Sequence, residues 1–77
     1  MSKRTFTRQF KLAYGCTFGH WLLNQRLVLS QRLLETTLSP IPEIAELAGF
    51  GSESVFRKHF GAAFHVSPTQ WRTTFRR

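Results

Sequence analysis

Residues 41–64 read IPEIAELAGFGSESVFRKHFGAAF, which is two helical patterns separated by a short turn that contains glycine. Gly49 supplies the turn, and the small Ala45 and Ala48 allow the two helices to approach closely. The segment is therefore predicted to form a helix-turn-helix, a unit found in DNA-binding proteins and also in proteins that do not contact DNA. The apolar positions that repeat at helical spacing around the turn are Ile41, Ile44, Ala45, Ala48, Phe56 and Phe60.

The second helix of this unit repeats the beginning of the chain at an offset of fifty positions. Seven matches fall within twenty positions and include a Trp pair and two Phe pairs, so we infer that the chain contains one structural unit twice. Each copy is predicted to be a helix with a serine N-cap, because the serine oxygen accepts hydrogen bonds from the free N–H groups of the first turn. The matched residues are Ser2, Phe6, Phe10, Ala13, Tyr14, Thr17 and Trp21, and fifty positions later Ser52, Phe56, Phe60, Ala63, Phe64, Ser67 and Trp71.

A long helix is predicted between the two copies, from a cap at Thr17 to about Thr37. Pro40 and Pro42 end it, because proline lacks the amide hydrogen and restricts the residue before it. Its apolar face is broad, as expected of a helix that contacts protein on more than one side. Leu23, Leu27 and Leu34 form one stripe, and Leu22, Leu29 and Leu33 widen it.

The remaining helix ends are marked by glycine, histidine and proline. Gly15 is predicted to close the first helix in the left-handed conformation that glycine adopts freely, and His65 occupies the equivalent place in the second copy. Ser67 and Pro68, a cap and a first-turn proline, open a last short helix through Phe75. No segment alternates with period two over more than a few residues, so the chain is predicted to be all-α.

Positive charge is the main compositional signal. The 77 residues allow one small domain, and 42% apolar content is typical of a globular chain. The net charge of +7 divides into +6 over residues 1–34, −4 over residues 35–53 and +5 over residues 54–77. Two basic blocks therefore flank an acidic one. They indicate two contacts with a polyanion, either nucleic acid or anionic lipid, and a solvated basic surface is the alternative.

The sequence lacks catalytic and metal-binding patterns. The lone Cys16 excludes an internal disulfide and fits a reducing, cytoplasmic compartment. His20, His59 and His65 lack the spacing of a metal site, and no positioned third group accompanies Cys16 as a catalytic triad requires. We expect no enzymatic activity, no cofactor, no metal ion and no small-molecule ligand in this segment. We also expect no membrane contact, since no apolar run approaches the roughly 20 residues of a membrane span.

The linker helix has about the right length to place the two repeated helices in successive grooves of DNA. Two recognition helices on one face of a duplex lie about one helical turn apart, roughly 34 Å. A helix over residues 18–37 spans roughly 30 Å at 1.5 Å per residue. The duplication therefore favours a DNA reader with two contact points.

A framework of residues spread over nearly the whole chain matches a known family. It consists of Ser2-Lys3-Arg4-Thr5-Phe6, Phe10-Lys11, Trp21-Leu22, Arg26-Leu27, Leu33-Leu34, Ile44-Ala45, Gly49-Phe50-Gly51-Ser52, Phe56, Phe60 and Val66-Ser67-Pro68. With this framework the chain resembles the C-terminal DNA-binding domain of AraC/XylS-family transcription regulators. The resemblance implies a bacterial domain whose two recognition helices bind adjacent major-groove segments of double-stranded DNA. It also implies contact with RNA polymerase and a separate sensor domain, which most members have.

One departure from the family concerns the first unit, which has no scaffold helix before its recognition helix. The family domain has further helices before the position of Ser2, so the chain resembles a domain truncated at its amino end. We expect an all-α fold of two helix-turn-helix units, the first incomplete, joined by a long central helix. The predicted segments are 1–16 for the first recognition helix, 17–38 for the linker helix, 41–64 for the complete second helix-turn-helix and 67–77 for the closing helix.

Carried over onto this sequence, the resemblance assigns DNA contacts to the polar faces of the two repeated helices. Arg4 or Arg8 can bind guanine O6 and N7, and Glu53 can accept from cytosine N4. Lys3, Lys11 and the N–H groups at the helix N-termini are placed for phosphate. For each assigned residue a solvated helix face is the alternative. The assigned residues are Arg4, Thr7, Arg8 and Lys11 in the first copy and Ser52, Glu53, Ser54, Arg57 and Lys58 in the second.

Two other functions remain open at the level of the sequence. A truncated domain can act as a protein-interaction module, for RNA polymerase or a full-length relative, with weak DNA binding. Its contact surface would be Phe6, Phe10 and Tyr14, which are expected to be only partly covered and to leave the first unit less stable than the second. A cationic amphipathic chain on anionic membranes is disfavoured by the discrete turn between two capped helices.

Overall fold

Five helices make up the part of the chain that the structure describes. The computed structural model describes residues 3–75, with side chains from Arg8 onward. No strand occurs within those residues, and the predicted all-α class is confirmed. In chain order the helices are α1 (Lys3–Tyr14), α2 (Phe18–Thr36), α3 (Ile41–Leu47), α4 (Glu53–Phe64) and α5 (Pro68–Phe75).

Three hydroxyl caps start helices where the sequence predicts them. The side-chain oxygens of Thr17, Ser52 and Ser67 each accept a hydrogen bond from the backbone N–H three residues further on, at 3.1–3.2 Å. At α5 the cap is reciprocal, because the Gln70 side-chain oxygen also accepts from the Ser67 N–H at 2.9 Å. These three predicted caps are confirmed, and the fourth, Ser2, lies outside the described residues.

The two repeated helices end in the same left-handed backbone conformation. Gly15 has a φ of +75° after α1, and His65 has a φ of +62° after α4. The Gly15 N–H donates to the Lys11 carbonyl at 2.8 Å, and the His65 N–H donates to the Gly61 carbonyl at 2.9 Å. Both predicted helix ends are confirmed, and histidine occupies a conformation that costs it more than glycine.

The internal repeat predicted from the sequence is also present in the side-chain packing. The ring centroid of Phe10 lies 4.4 Å from the aromatic ring four positions later and 5.7 Å from that of Trp21. In the second copy the corresponding distances from Phe60 are 4.7 Å and, to Trp71, 5.8 Å. Each repeated helix therefore packs against the helix that follows it through the same set of rings.

The hydrophobic core is centred on the second unit. Phe56 and Phe60 of α4 are fully buried, together with Leu34 of the linker helix and Ile44 of α3. Full burial of a side chain of this size stabilises the fold by about 1.5–3 kcal/mol, so these four form the main stabilising group. The buried apolar residues among those described are Leu27, Leu34, Ile44, Ala45, Ala48, Phe50, Phe56 and Phe60.

The two copies are not equally covered. Phe10, the counterpart of the buried Phe60, is only partly buried, and Tyr14, the counterpart of the partly buried Phe64, is 62% exposed. Helix α3 precedes α4 and packs against it, whereas no described helix precedes α1. The predicted partial cover of Phe10 and Tyr14 is confirmed, and the Phe6 side chain lies outside those described.

The linker helix α2 is continuous and buries one stripe. Leu27 and Leu34 are buried, and so is Ser30 between them, whose hydroxyl donates to the Leu27 carbonyl at 2.6 Å. Leu29 is 42% exposed, so the prediction that it widens the buried stripe is wrong. Two positions correspond to about 200° around a helix, which turns Leu29 away from the side that buries Leu27.

The closing helix α5 is fastened to the C-terminal end of α2. The Trp71 indole N–H donates to the Glu35 carboxylate at 3.0 Å. The Arg72 guanidinium donates to the carbonyls of Leu34 and Thr37 at 3.3 and 3.2 Å. Because α2 has no basic residue in its own last turn, Arg72 supplies the positive charge that a helix C-terminus attracts.

Gly49 occupies a position in the helix-turn-helix where a side chain should be poorly tolerated. Its φ is +92°, and a Cβ atom there would lie 3.0 Å from the Nε of Arg26. We expect Gly49→Ala to lower the free energy of unfolding by about 1–2 kcal/mol, the usual cost of a Cβ in the left-handed region. Urea unfolding followed by circular dichroism measures the change. Gly51→Ala is the control, since a Cβ at Gly51 meets no atom within 4 Å, and an equal loss in both variants would contradict the prediction.

Candidate nucleic-acid interface

Helix α4 divides into a buried aromatic face and an exposed polar face. Phe56 and Phe60 have no exposed surface, whereas Ser54, Arg57 and Lys58 are exposed. Because the apolar face lies in the core, the polar side of this helix is the side available to a ligand. Three of the residues predicted for the second recognition helix therefore lie on the accessible side of α4.

The N-terminus of α4 is accessible as well. Ser52 is exposed, and its hydroxyl is the N-cap that accepts from the Val55 N–H at 3.2 Å. The N–H groups of the first turn carry the positive end of the helix dipole and favour phosphate or carboxylate nearby. Glu53 occupies the first helical position, so a carboxylate already lies at this end.

The structure brings two of the predicted site residues into direct contact. The Nε–H group of Arg57 donates to Oε1 of Glu53 at 3.0 Å, and the Nη2 atom lies 2.8 Å from the same oxygen as an ion pair. The Arg57 side chain is 44% exposed and the Glu53 side chain is 37% exposed. No other ion pair occurs among the side chains that the structure describes. The sequence analysis predicts that Glu53 accepts a hydrogen bond from cytosine, without a role for Arg57 in that contact. The signal for the pair is the spacing, with Glu four positions before Arg on a helix.

Helix α1 carries the first predicted set of contacts. Arg8 and Lys11 are exposed, and Arg8 stands at the position equivalent to Lys58. Arg4 and Thr7 belong to α1, but their side chains lie outside those that the structure describes, so their assignment stays a prediction. An exposed cation therefore occupies the same position in both copies of the repeat.

The two repeated helices lie beside different parts of α2. Phe10 of α1 contacts Phe18 and Trp21 in the first turn of α2, with ring centroids 5.3 and 5.7 Å apart. Helix α5, which packs against α4, bonds to Leu34 and Glu35 near the other end of α2. The 19 residues of α2 span about 28 Å, and the principal extents of the molecule are 45 × 20 × 19 Å.

Known proteins share this arrangement. A family model described as a helix-turn-helix domain matches residues 1–74. A solved transcriptional regulator from Chromobacterium violaceum, described as containing an AraC-type DNA-binding domain, is similar with a TM-score of 0.87 and 28% identity over 96% of this chain and 66% of its own. The chain belongs to the AraC-type helix-turn-helix family.

Two further proteins resemble this AraC-type domain. The DNA-binding domain of the global transcriptional factor AdpA, solved in complex with a target DNA, is similar with a TM-score of 0.94 and 39% identity over 97% of this chain and 68% of that chain. The HTH-type transcriptional activator RhaR of Pectobacterium carotovorum is 36% identical over 74 residues. That match covers 96% of this chain, which spans only 26% of the activator's length.

Neither a metal site nor a membrane span is found in the described part of the AraC-type domain. Within residues 3–75 no group of three His, Cys, Asp or Glu side chains is placed to hold a metal ion. No helix in that range is long and apolar enough to cross a bilayer. Cys16 is a free, half-buried thiol.

One basic residue outside the predicted contact set lies against the turn of the second unit. Arg26 of α2 is half-buried, and its side chain borders the backbone of Gly49. The contact depends on how α2 packs against the AraC-type helix-turn-helix, and no local sequence signal encodes that placement. Arg26 is therefore a residue near the candidate interface that only the folded structure identifies.

Proposed function

We propose that this AraC-type domain is the sequence-specific DNA-binding module of a bacterial transcription regulator, with α1 and α4 reading adjacent major-groove segments of double-stranded DNA. The observation that carries the proposal is the exposed cation at equivalent positions, Arg8 and Lys58, in two repeated helices with an unbroken linker helix between them in the chain. The similar AdpA domain was solved with its target DNA, which supports the same class of ligand here. The net charge of +7 agrees with a polyanionic partner.

The exposed residues divide into those suited to phosphate and those suited to base edges. Lys11 and Lys58 present ammonium groups, which act as point charges beside phosphate and fix the position of the protein on the duplex. Arg8 and Arg57 present planar guanidinium groups, which can donate two parallel hydrogen bonds to O6 and N7 of guanine. Sequence preference is therefore expected to depend on the arginines and overall affinity on all four residues.

The proposal also concerns the location, the second partner and the chemistry of the regulator. We infer a cytoplasmic location, RNA polymerase as a second partner, and no catalytic activity, cofactor or small-molecule ligand of its own. RhaR is named a transcriptional activator, which supports contact with the transcription machinery in this family. These statements concern the regulator of which the domain is a module.

A protein-interaction role is the second candidate, and it is favoured by solvent-exposed apolar side chains on the first unit. Leu12 is 81% exposed, Tyr14 is 62% exposed and Phe18 is 41% exposed. Tyr14 and Phe18 both border the ring of Phe10, at centroid distances of 4.4 and 5.3 Å, so they form one contiguous patch. Contiguous exposed apolar groups mark contact surfaces. In this role the domain would bind RNA polymerase or a full-length relative through α1 and bind DNA weakly.

Removing either cation of α4 is expected to weaken DNA binding without unfolding the domain. Arg57→Ala should cost about 1–3 kcal/mol of binding free energy on its preferred sequence, and Lys58→Ala should weaken all sequences alike. Both side chains are exposed, so the circular dichroism spectrum and the melting temperature should stay close to those of the wild type. Fluorescence anisotropy with a labelled duplex, chosen by selection from a random pool, measures the affinities.

Arg32→Ala is the matched control for this experiment. Arg32 is an exposed cation of α2 outside both recognition helices, so its removal changes the net charge by the same amount. Unchanged affinity in Arg57→Ala and Lys58→Ala, or an equal loss in Arg32→Ala, would remove α4 from the DNA site.

A further inference from the structure

We propose that Glu53 is a positioning residue that holds Arg57 for end-on recognition of guanine, so that the DNA segment read by α4 contains one strongly preferred G·C base pair. The inference rests on the proposed DNA-binding function and adds to it the base and the geometry of its recognition. Its basis is the ion pair on the accessible side of α4.

The Glu53 carboxylate occupies one edge of the Arg57 guanidinium. A single oxygen, Oε1, accepts from Nε–H at 3.0 Å and lies 2.8 Å from Nη2. A guanidinium carries five N–H groups in a planar fork, and these two contacts use the edge between Nε and Nη2. The unused edge, formed by Nη1 and the second hydrogen of Nη2, lies at the tip of the side chain. Its two parallel donors match the O6 and N7 acceptors that guanine presents in the major groove.

The Glu53–Arg57 ion pair restricts the Arg57 side chain in the free protein, before DNA binds. Immobilising a long side chain on binding weakens affinity by about two- to tenfold, and a side chain that is already held avoids part of that loss. Two features of α4 favour the ordered state. Glu four positions before Arg is the better orientation of an ion pair on a helix, and the first turn of α4 favours a carboxylate at Glu53.

The same contact argues against Glu53 as an independent reader of cytosine. A free carboxylate in the major groove is repelled by the phosphates on both sides, whereas here its charge is compensated by a guanidinium at 2.8 Å. Because Oε1 accepts a hydrogen bond from Arg57 and lies in ion-pair contact with its Nη2, the position of Glu53 is tied to that of the arginine. We therefore expect the two residues to affect the same base pair.

The test measures base preference in variants of the full chain. Selection from a random duplex pool, followed by sequencing, gives the wild-type preference at every position. One position in the α4 half-site should prefer guanine by roughly ten- to a hundredfold, the usual value of a bidentate arginine contact. Arg57→Ala should abolish that preference, and Glu53→Ala should reduce it by about twofold, the usual contribution of an exposed ion pair at this helical spacing. In the Arg57→Ala background, Glu53→Ala should cause no further change at this position.

Glu53→Gln is the matched variant. Glu53→Ala and Glu53→Gln both remove one negative charge, so both should raise the affinity for unrelated sequences by the same factor. Gln keeps a side-chain oxygen that can accept from Arg57, so Glu53→Gln should retain more of the guanine preference than Glu53→Ala. The ¹⁵N NMR signal of the Arg57 Nε–H group in the free domain should shift in Glu53→Ala and stay in place in Lys58→Ala, which shows that the pair exists without DNA.

Two results would overturn the inference while leaving the proposed function intact. One is a loss of preference for cytosine at a separate position in Glu53→Ala that persists in the Arg57→Ala background, because Glu53 would then read a base directly. The other is identical base preference in Glu53→Ala, Glu53→Gln and the wild type, because Glu53 would then act only as a repelling charge. A wild-type chain without any sequence preference would refute the proposed function and the inference with it.

Discussion

Phe60→Ala is expected to lower the free energy of unfolding by about 3–5 kcal/mol, the range for truncating a large aromatic side chain in a packed core. Phe60 has no exposed surface, and its ring centroid lies 5.6 Å from Phe56, 4.7 Å from Phe64 and 5.8 Å from Trp71. All three neighbours meet it at steep interplanar angles of 65–83°. Because these rings come from two helices and the core contains other fixed contacts, they cannot close fully over the cavity.

The expected loss is a large share of the total stability. A chain of 77 residues has a free energy of unfolding of about 4–12 kcal/mol, so Phe60→Ala should remove between about a quarter and all of it. Urea unfolding followed by far-ultraviolet circular dichroism measures the change against the wild type. Phe75→Ala is the control for aromatic truncation at the surface, since Phe75 is 53% exposed, and it should change the stability by less than about 1 kcal/mol.

Phe10→Ala, the equivalent substitution in the first copy, separates the effect of burial from that of local sequence. Phe10 contacts the same kinds of rings as Phe60 but is only partly buried, so its truncation should cost clearly less. An equal loss in the two variants would mean that the first unit is as tightly packed as the second. If Phe60→Ala unfolded at the same urea concentration as the wild type, Phe60 would not support the core.

The helix boundaries could be predicted because their signals act over a few residues. Thr17, Ser52 and Ser67 each bond to an N–H three positions away, and Gly15 and His65 adopt the left-handed conformation at the ends of the repeated helices. Such contacts are encoded within one helical turn and need no knowledge of the rest of the fold. Local chemistry therefore predicted where the helices begin and end.

Burial could be predicted only in part, because it depends on which element packs against a helix face. Phe10 and Phe60 occupy equivalent positions in the repeat, yet only Phe60 is completely buried, since α3 packs against its helix. Leu29 is an apolar residue on the linker helix that the structure leaves 42% exposed. A period of 3.6 residues identifies an apolar face, but the width of the face that is covered is a property of the tertiary packing.

The candidate site shows the same division. The exposure of Arg57 and Lys58 follows from the aromatic stripe on the opposite face of α4 and was predictable. The contact of two Arg57 nitrogens with one Glu53 oxygen and the approach of Arg26 to Gly49 could be seen only from the side-chain positions. The contacts of these residues with DNA remain predictions, and the experiments on salt and base preference test them.

Binding to duplex DNA is expected to weaken steeply as the salt concentration rises. Each phosphate neutralised by a cation releases condensed counterions, so log Kobs falls with log salt by about 0.9 for each contact. Among the described side chains of α1 and α4 the exposed cations are Arg8, Lys11, Arg57 and Lys58, and the two lysines are those proposed to contact phosphate. With one phosphate charge neutralised by each lysine, the slope is at least about 1.8 in magnitude, and the affinity falls at least about 12-fold between 50 and 200 mM salt. Anisotropy titrations at several salt concentrations measure this slope.

Single substitutions assign the slope to individual residues. Lys58→Ala should make the slope shallower by about 0.9, whereas Arg32→Ala, which removes a cation of the linker helix, should leave it unchanged. A flat salt response together with binding to RNA polymerase would support the protein-interaction role instead. An anionic lipid surface would also attract the cations and give a steep slope. The titrations are therefore made with both the selected duplex and a scrambled one. Hydrogen bonds to base edges release few counterions, so the ratio of the affinities for the selected and the scrambled duplex should persist as the salt concentration rises. Neither a membrane-binding helix nor a basic surface without base contacts would give such a ratio.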